Sequence, residues 1–318
     1  MVSQKLNLGI SSCLLGNQVR FDRGHQHDRF LTDTLGLYAN FHPVCPEVEC
    51  GLPIPREAMR LVGDPDQPKL IGRKTGKDYT EQMQKWIPAR LDELEKLNLD
   101  GFIFKRMSPS NGMERVKVYS EKGGMPQHNG VGSFARAFMQ RFPNIPVEED
   151  GRLNDPRIRE NFIQRIFIHR SWRRVTDENK TAHGIIDFHT HHKYSLFSHS
   201  EPIYRGMGKM IAQAGVLTPN ELFSDYEDQL MMCLKKPASH NTHTNVMTHI
   251  FGYFKKDLDN DEKSEMLEIL ENYREGNIPR IVPITLLKHY TRKYTKTYLE
   301  DQSYLNPHPL KLKLLNHV

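Results

Sequence analysis

Long apolar runs are missing from this sequence. No stretch of its 318 residues approaches the ~20 apolar residues that a membrane-spanning helix needs. The opening MVSQKLNLGISSCLLG also lacks the basic start and long apolar segment of a secretion signal. A cytoplasmic protein is the expectation. Cysteine is scarce, with four in the chain. That is too few for a disulfide framework and, in a reducing compartment, points to metal or redox chemistry where thiols cluster. Repeated units and low-complexity tracts are absent, which excludes a solenoid. What remains, 37% hydrophobic and 26% charged, is the composition of a globular protein with enough chain for two domains.

The formal charge of +5 is modest but unevenly placed. From Gly151 to Val318 there are 24 Lys/Arg against 20 Asp/Glu, and eight of those acids crowd between Asp257 and Glu275. The rest of that half is basic and holds 12 of the 16 histidines, a pattern compatible with a polyanionic partner.

Strands are expected at Leu6 to Ser11, Phe41 to Val44 and Gly101 to Lys105, each ending in a loop rich in Ser, Pro, Gly or Cys. Helical spacing runs from Tyr79 to Leu97, with Pro88 set to kink or restart it. This alternation predicts a Rossmann-like α/β domain over residues 1–145, with a parallel sheet and a site at the carboxyl ends of its strands. The proline-rich acidic run after Phe142 reads as a linker, with the boundary near Asp150. Residues 150–318 then read as an all-α domain, with Asn154-Asp155-Pro156 and Thr218-Pro219 as helix starts.

Cys13, Cys45 and Cys50 fall in two of the three strand-end loops, either as thiolate ligands of iron or zinc or as small residues closing the core. Cys233, in DQLMMCL, reads as a core thiol. Glu47 reads from the residues alone as a helix-start or loop carboxylate. Ser108 and Ser110 are candidates to bind the reacting group or position water, against turn and N-cap roles. Lys105 and Arg115 flank that loop as phosphate contacts or solvated charge.

In the second half His189, His191, His192, His240, His243 and His249 suggest either a zinc site or polar helix faces against RNA. Lys193, Lys235, Lys236, Lys255 and Lys256, with Arg170, Arg173, Arg174, Lys288, Arg292 and Lys293, interleave with Trp172, Tyr194, Tyr253 and Tyr290. Such a mixture suits phosphate contacts with base stacking, or solubilising charge over core aromatics.

The segments SSCLLGNQVRFD, PVCPEVECGLPIPRE and FKRMSPSNGMERVKVY resemble the signature loops of the thiouracil desulfidase family. The second half, with GRLNDPRIRENFIQRIF, FHTHHKY, ASHNTHTNVMTHIFGYFKK and YLNPHP, is similar to the partner domain of tRNA 4-thiouridine desulfidases. The resemblance implies a 4Fe-4S cluster on three cysteines, whose fourth iron takes the sulfur of a thiolated uracil. Its cysteine motifs correspond to Cys13, Cys45 and position 111, which is Asn in this chain. Cys50 is therefore expected as the substitute third ligand, with 4-thiouridine in tRNA or a thiolated nucleobase as substrate. Only through the family resemblance of its loop does Glu47 become the candidate general acid or base. The alternative is a tRNA- or nucleic-acid-binding protein whose cluster site has decayed.

Overall fold

The structure, a computed structural model, describes residues 5–212 and 219–317. It divides into two compact units, Met1–Asn154 and Asp155–Val318.

The first unit contains β1 (Leu6–Ser11), β2 (Ala39–Val44), the short helix α1 (Pro46–Glu49), β3 (Met59–Val62), β4 (Lys69–Gly72), α2 (Thr80–Glu95), β5 (Gly101–Phe104), β6 (Val116–Tyr119), β7 (Gln127–Gly130), α3 (Ser133–Arg141) and β8 (Val147–Glu149). Among the described residues β2-β1-β5-β8 form an all-parallel sheet, and β4-β3-β6-β7 form a second, mixed one. The sequence reading missed the second sheet.

β5 is buried at every position, as expected of a parallel strand covered on both faces. Gly9 of β1 pairs with Phe102 of β5, and a Cβ there would lie 2.2 Å from the Phe102 ring. Its absence lets Phe102 stack with Phe104 at 4.4 Å and meet Phe138 at 4.7 Å. α2 adds Met83, Ile87, Leu91 and Leu94, a stripe at helical spacing, to the same core. It runs as one element through Pro88, which is exposed.

The run read as a linker is not one. Val147–Glu149 is the edge strand β8, paired with β5, so the first unit extends to Asn154 and not to 145.

The second unit is helical among the described residues: α4 (Pro156–Glu178), α5 (Ala182–His199), α6 (Glu201–Ala212), α7 (Pro219–Lys235), α8 (His240–Phe251), α9 (Asn260–Arg274), α10 (Ile281–Lys293) and α11 (Thr297–Glu300). Asp155 caps α4 by accepting from the amides of Arg157 and Ile158, with Pro156 at the first turn. The other expected start falls partly on Thr218, outside the described residues. No helix among them is long and apolar enough to cross a membrane.

Trp172, Tyr194 and Tyr290, read from the sequence either as base-stacking or as core aromatics, are core residues, Trp172 packing between Phe188, Phe223 and Tyr226. Several histidines are likewise interior. His192 bonds Ser303 at 2.8 Å, His243 bonds Tyr304 at 3.0 Å and His199 donates to the Lys236 carbonyl at 2.7 Å. Among the described residues no three His, Cys, Asp or Glu side chains group as a metal site.

Burial pushes His199 down to about 4 and His243 down to about 3. The folded state therefore keeps them neutral, while the unfolded chain takes up protons near pH 6.5. Their stabilisation is whole above pH 6.5 and is lost as pH falls toward 4. His199 alone is expected to cost about 3 kcal/mol across that window. Denaturant unfolding of the intact protein at pH 7.5 and pH 5 measures the loss, and equal midpoints would contradict it.

A candidate active site at the ends of the parallel strands

The register of β1 with β2 sets Ser11 opposite Val44. Chain continuation then brings Cys13, in the turn Ser12–Leu15, and Cys45 to the same end of the sheet. Left-handed Gly16 (φ 90°) closes the turn behind Cys13. Cys45 caps α1, its amide donating to Glu49 Oε1 at 2.7 Å. The loop after β5 completes the group: the Lys105 amide donates to Ser11 Oγ at 2.9 Å, and Asp150 anchors the Lys105 ammonium at 2.8 Å and the Arg106 amide at 2.7 Å. This is the carboxyl edge of a parallel sheet, where open α/β folds place their ligands.

A cavity of about 430 Å³ opens here, lined by Cys13, Cys45, Glu47, Ser108 and Asn111 with Arg20, Arg56, Arg73, Lys105 and Arg106. Glu47 is 8% exposed and sits at the centre of the polar contacts. Its Oε1 accepts from Ser110 Oγ at 2.5 Å, its Oε2 lies 3.5 Å from Cys45 Sγ and 3.7 Å from Arg56 Nη2. Ser110 is fully buried and 3.0 Å from Ser108 Oγ, so the two hydroxyls link the cavity wall to the carboxylate. Burial, reinforced by Glu47, pushes the Cys13 thiol up to about 11 and the Cys45 thiol up to about 12. Both are protonated thiols at neutral pH, poor nucleophiles until a soft metal displaces the proton.

Cys50 lies elsewhere. Its thiol donates to the Glu47 carbonyl oxygen at 3.3 Å, it packs against the apolar core, and it does not line the cavity. Asn111 does line it, 5% exposed, with a buried Oδ1 that has no hydrogen-bond partner. Of the expected ligands Cys13, Cys45 and Cys50, the structure brings the first two to the cavity beside the Asn111 amide and leaves Cys50 outside it. A 4Fe-4S cluster held by three thiolates does not fit this donor set.

Arg56 and Asp150 escaped the sequence reading. Arg56 stands in the quoted run PIPRE, a visible signal, whereas Asp150 was assigned to the linker. Arg115 is exposed, pairs with Glu114 at 3.2 Å and stays out of the cavity. Cys233 is fully buried in the second unit.

Lys235, Lys236, Lys255 and Lys256 are exposed. Lys193 is half-buried, its ammonium 5.1 Å from the Tyr194 ring centre and 6.0 Å from that of Tyr298. Tyr298 stacks on Tyr253 at 5.9 Å, and both rings remain partly open to solvent.

A curated relative, the uncharacterized protein YbgA of Escherichia coli strain K12, is 28% identical over 163 residues, covering 51% of this chain and 96% of that protein. A solved structure described as a [4Fe-4S]-dependent thiouracil desulfidase, TudS, is 25% identical with a TM-score of 0.40, covering 48% of this chain and 95% of that one. Residues 193–309 match a family described as a protein of unknown function, DUF1722. Residues 8–150, the stretch that builds the cavity, match the 2-thiouracil desulfurase family.

Proposed function

We propose that this protein takes a thiolated uracil into the cavity of its first unit and replaces the sulfur by oxygen. The substrate would be 4-thiouridine in tRNA, with the second unit as the RNA-binding platform. The observation that carries this reading is the convergence of Cys13, Cys45 and the Glu47–Ser110 pair on one cavity within the stretch matching the 2-thiouracil desulfurase family.

The overall reaction is redox-neutral: a C=S group and water give a C=O group and hydrogen sulfide. Glu47 would take a proton from water and return it to the departing sulfur, a role supported by the Ser110 hydrogen bond that fixes its carboxylate. Ser108 and the basic wall would orient the base and accept a neighbouring phosphate, with Ser110 behind them holding Glu47. A stacked base in folded tRNA must first be extruded to reach them.

Asn111 favours a second reading, a tRNA-binding protein without turnover. Incubation with 4-thiouridine-containing tRNA, and separately with free 4-thiouracil, while following loss of the thiocarbonyl band and release of sulfide, separates the two. Binding without sulfide release, in the wild type and in Asn111→Cys alike, would sink the enzymatic reading.

The RNA platform carries its own expectation. Phosphate contacts release counterions, so tRNA affinity should fall log-linearly with salt. Charge reversal at Lys255 and Lys256 should lower the slope of that line by about 1–2. The same slope in the variant would remove these lysines from the interface.

A further inference from the structure

The second unit holds a cavity of about 320 Å³ that the first unit's chemistry does not use. It forms where the first turn of α4, the start of α8, the end of α9 and Arg280 meet, and its wall mixes charged and polar side chains with Pro237, Ala238 and the Tyr273 ring. Three guanidiniums, of Arg157, Arg274 and Arg280, face it against a single carboxylate, that of Glu160.

Arg280 is 7% exposed and pairs with Glu160, whose other oxygen lies 3.3 Å from His317 Nε2. Arg274 pairs with Glu271 on its own helix. Arg157 makes no ion pair among the described residues.

Arg280 is buried and compensated by Glu160, whereas Arg157 and Arg274 are exposed, so positive charge exceeds negative on the open side of the cavity. His240 and His317 carry the mark of that field: burial first, then nearby arginines, hold both below the ordinary imidazole range. The amino end of α8, a 12-residue helix, opens on the same space through His240 and Asn241. Backbone N–H groups at such an end add donors and positive potential.

We propose that this cavity is a binding site for a phosphate group, either free phosphate or the phosphate monoester of a nucleotide. Its size lies within the range of small-molecule sites and leaves room for a nucleoside beside the phosphate. Arg157 and the α8 amino end would meet the phosphate oxygens, while Glu160 holds Arg280 in place from behind.

The test is calorimetric titration of the intact protein with inorganic phosphate, with uridine 5′-monophosphate and with uridine. Phosphate and the monophosphate should bind, and uridine should not. Equal affinity for the first two assigns free phosphate, and a clearly tighter monophosphate assigns a nucleotide. The cavity of the first unit is also basic, so two variants locate the site. Arg157→Gln should weaken binding at least tenfold, and Asn241→Asp, at an exposed position of the rim, should abolish it. Neither disturbs the buried Arg280–Glu160 pair. Unchanged affinity in both variants, or no binding of either phosphate compound at millimolar concentration and low salt, overturns the proposal.

Discussion

Replacing Glu47 by glutamine is expected to slow sulfur release about 10²- to 10⁴-fold, the range typical of a lost general acid or base. Glutamine keeps the shape of the side chain and an oxygen for Ser110 Oγ, now 2.5 Å from the carboxylate, so the loop after β5 stays anchored. What disappears is the charge proposed to accept a proton, 3.5 Å from Cys45 Sγ. The loss should appear in kcat for free thiouracil and for tRNA alike, with tRNA affinity unchanged, because the lysines proposed to bind RNA belong to the other unit. Ser110→Ala should give a smaller loss, since it removes only the group that orients the carboxylate. A Glu47→Gln protein that turns over at the wild-type rate would assign Glu47 to structure, with its Arg56 contact at 3.7 Å as its purpose.

Asn111→Cys is expected to raise bound iron and acid-labile sulfide several-fold above the wild type after anaerobic reconstitution. Asn111 already lines the cavity with Cys13 and Cys45, and its Oδ1 has no partner to lose. A thiolate there would supply the third charged, soft donor that an amide cannot. Cys50→Ala should leave iron and sulfide unchanged, because that thiol is turned to the Glu47 carbonyl and the core. A wild type that already holds as much iron as Asn111→Cys would show the two-thiol set to be sufficient. Loss of iron in Cys50→Ala would show that α1 rearranges to deliver its thiol.

The parts legible in the sequence were those with a local cause. Runs of apolar residues ending in small-residue loops marked β1, β2 and β5, and helical spacing marked α2. Asp155 before Pro156 marked the start of α4, because a side-chain cap and a fixed φ act within one turn. The short loop motifs marked the candidate site, since Cys13, Cys45, Glu47 and both serines are close to strand ends in the chain itself.

Directions and distant partners were settled only by the fold. Cys45 and Cys50 share a loop, yet a turn of helix lies between them, and at 100° per residue five residues separate their directions by about 140°. One thiol therefore faces the cavity and the other the core. Asp150 looked like linker acid until β8 paired with β5 and carried it to Lys105. Trp172, Tyr194 and Tyr290 could be read as a base-stacking set or as core aromatics, because helical spacing gives a stripe without saying which neighbour covers it. The cavity of the second unit is the extreme case. Arg157 and Arg280 stand 123 positions apart in a helical unit, and no periodicity within one helix encodes where two helices place their charges once packed.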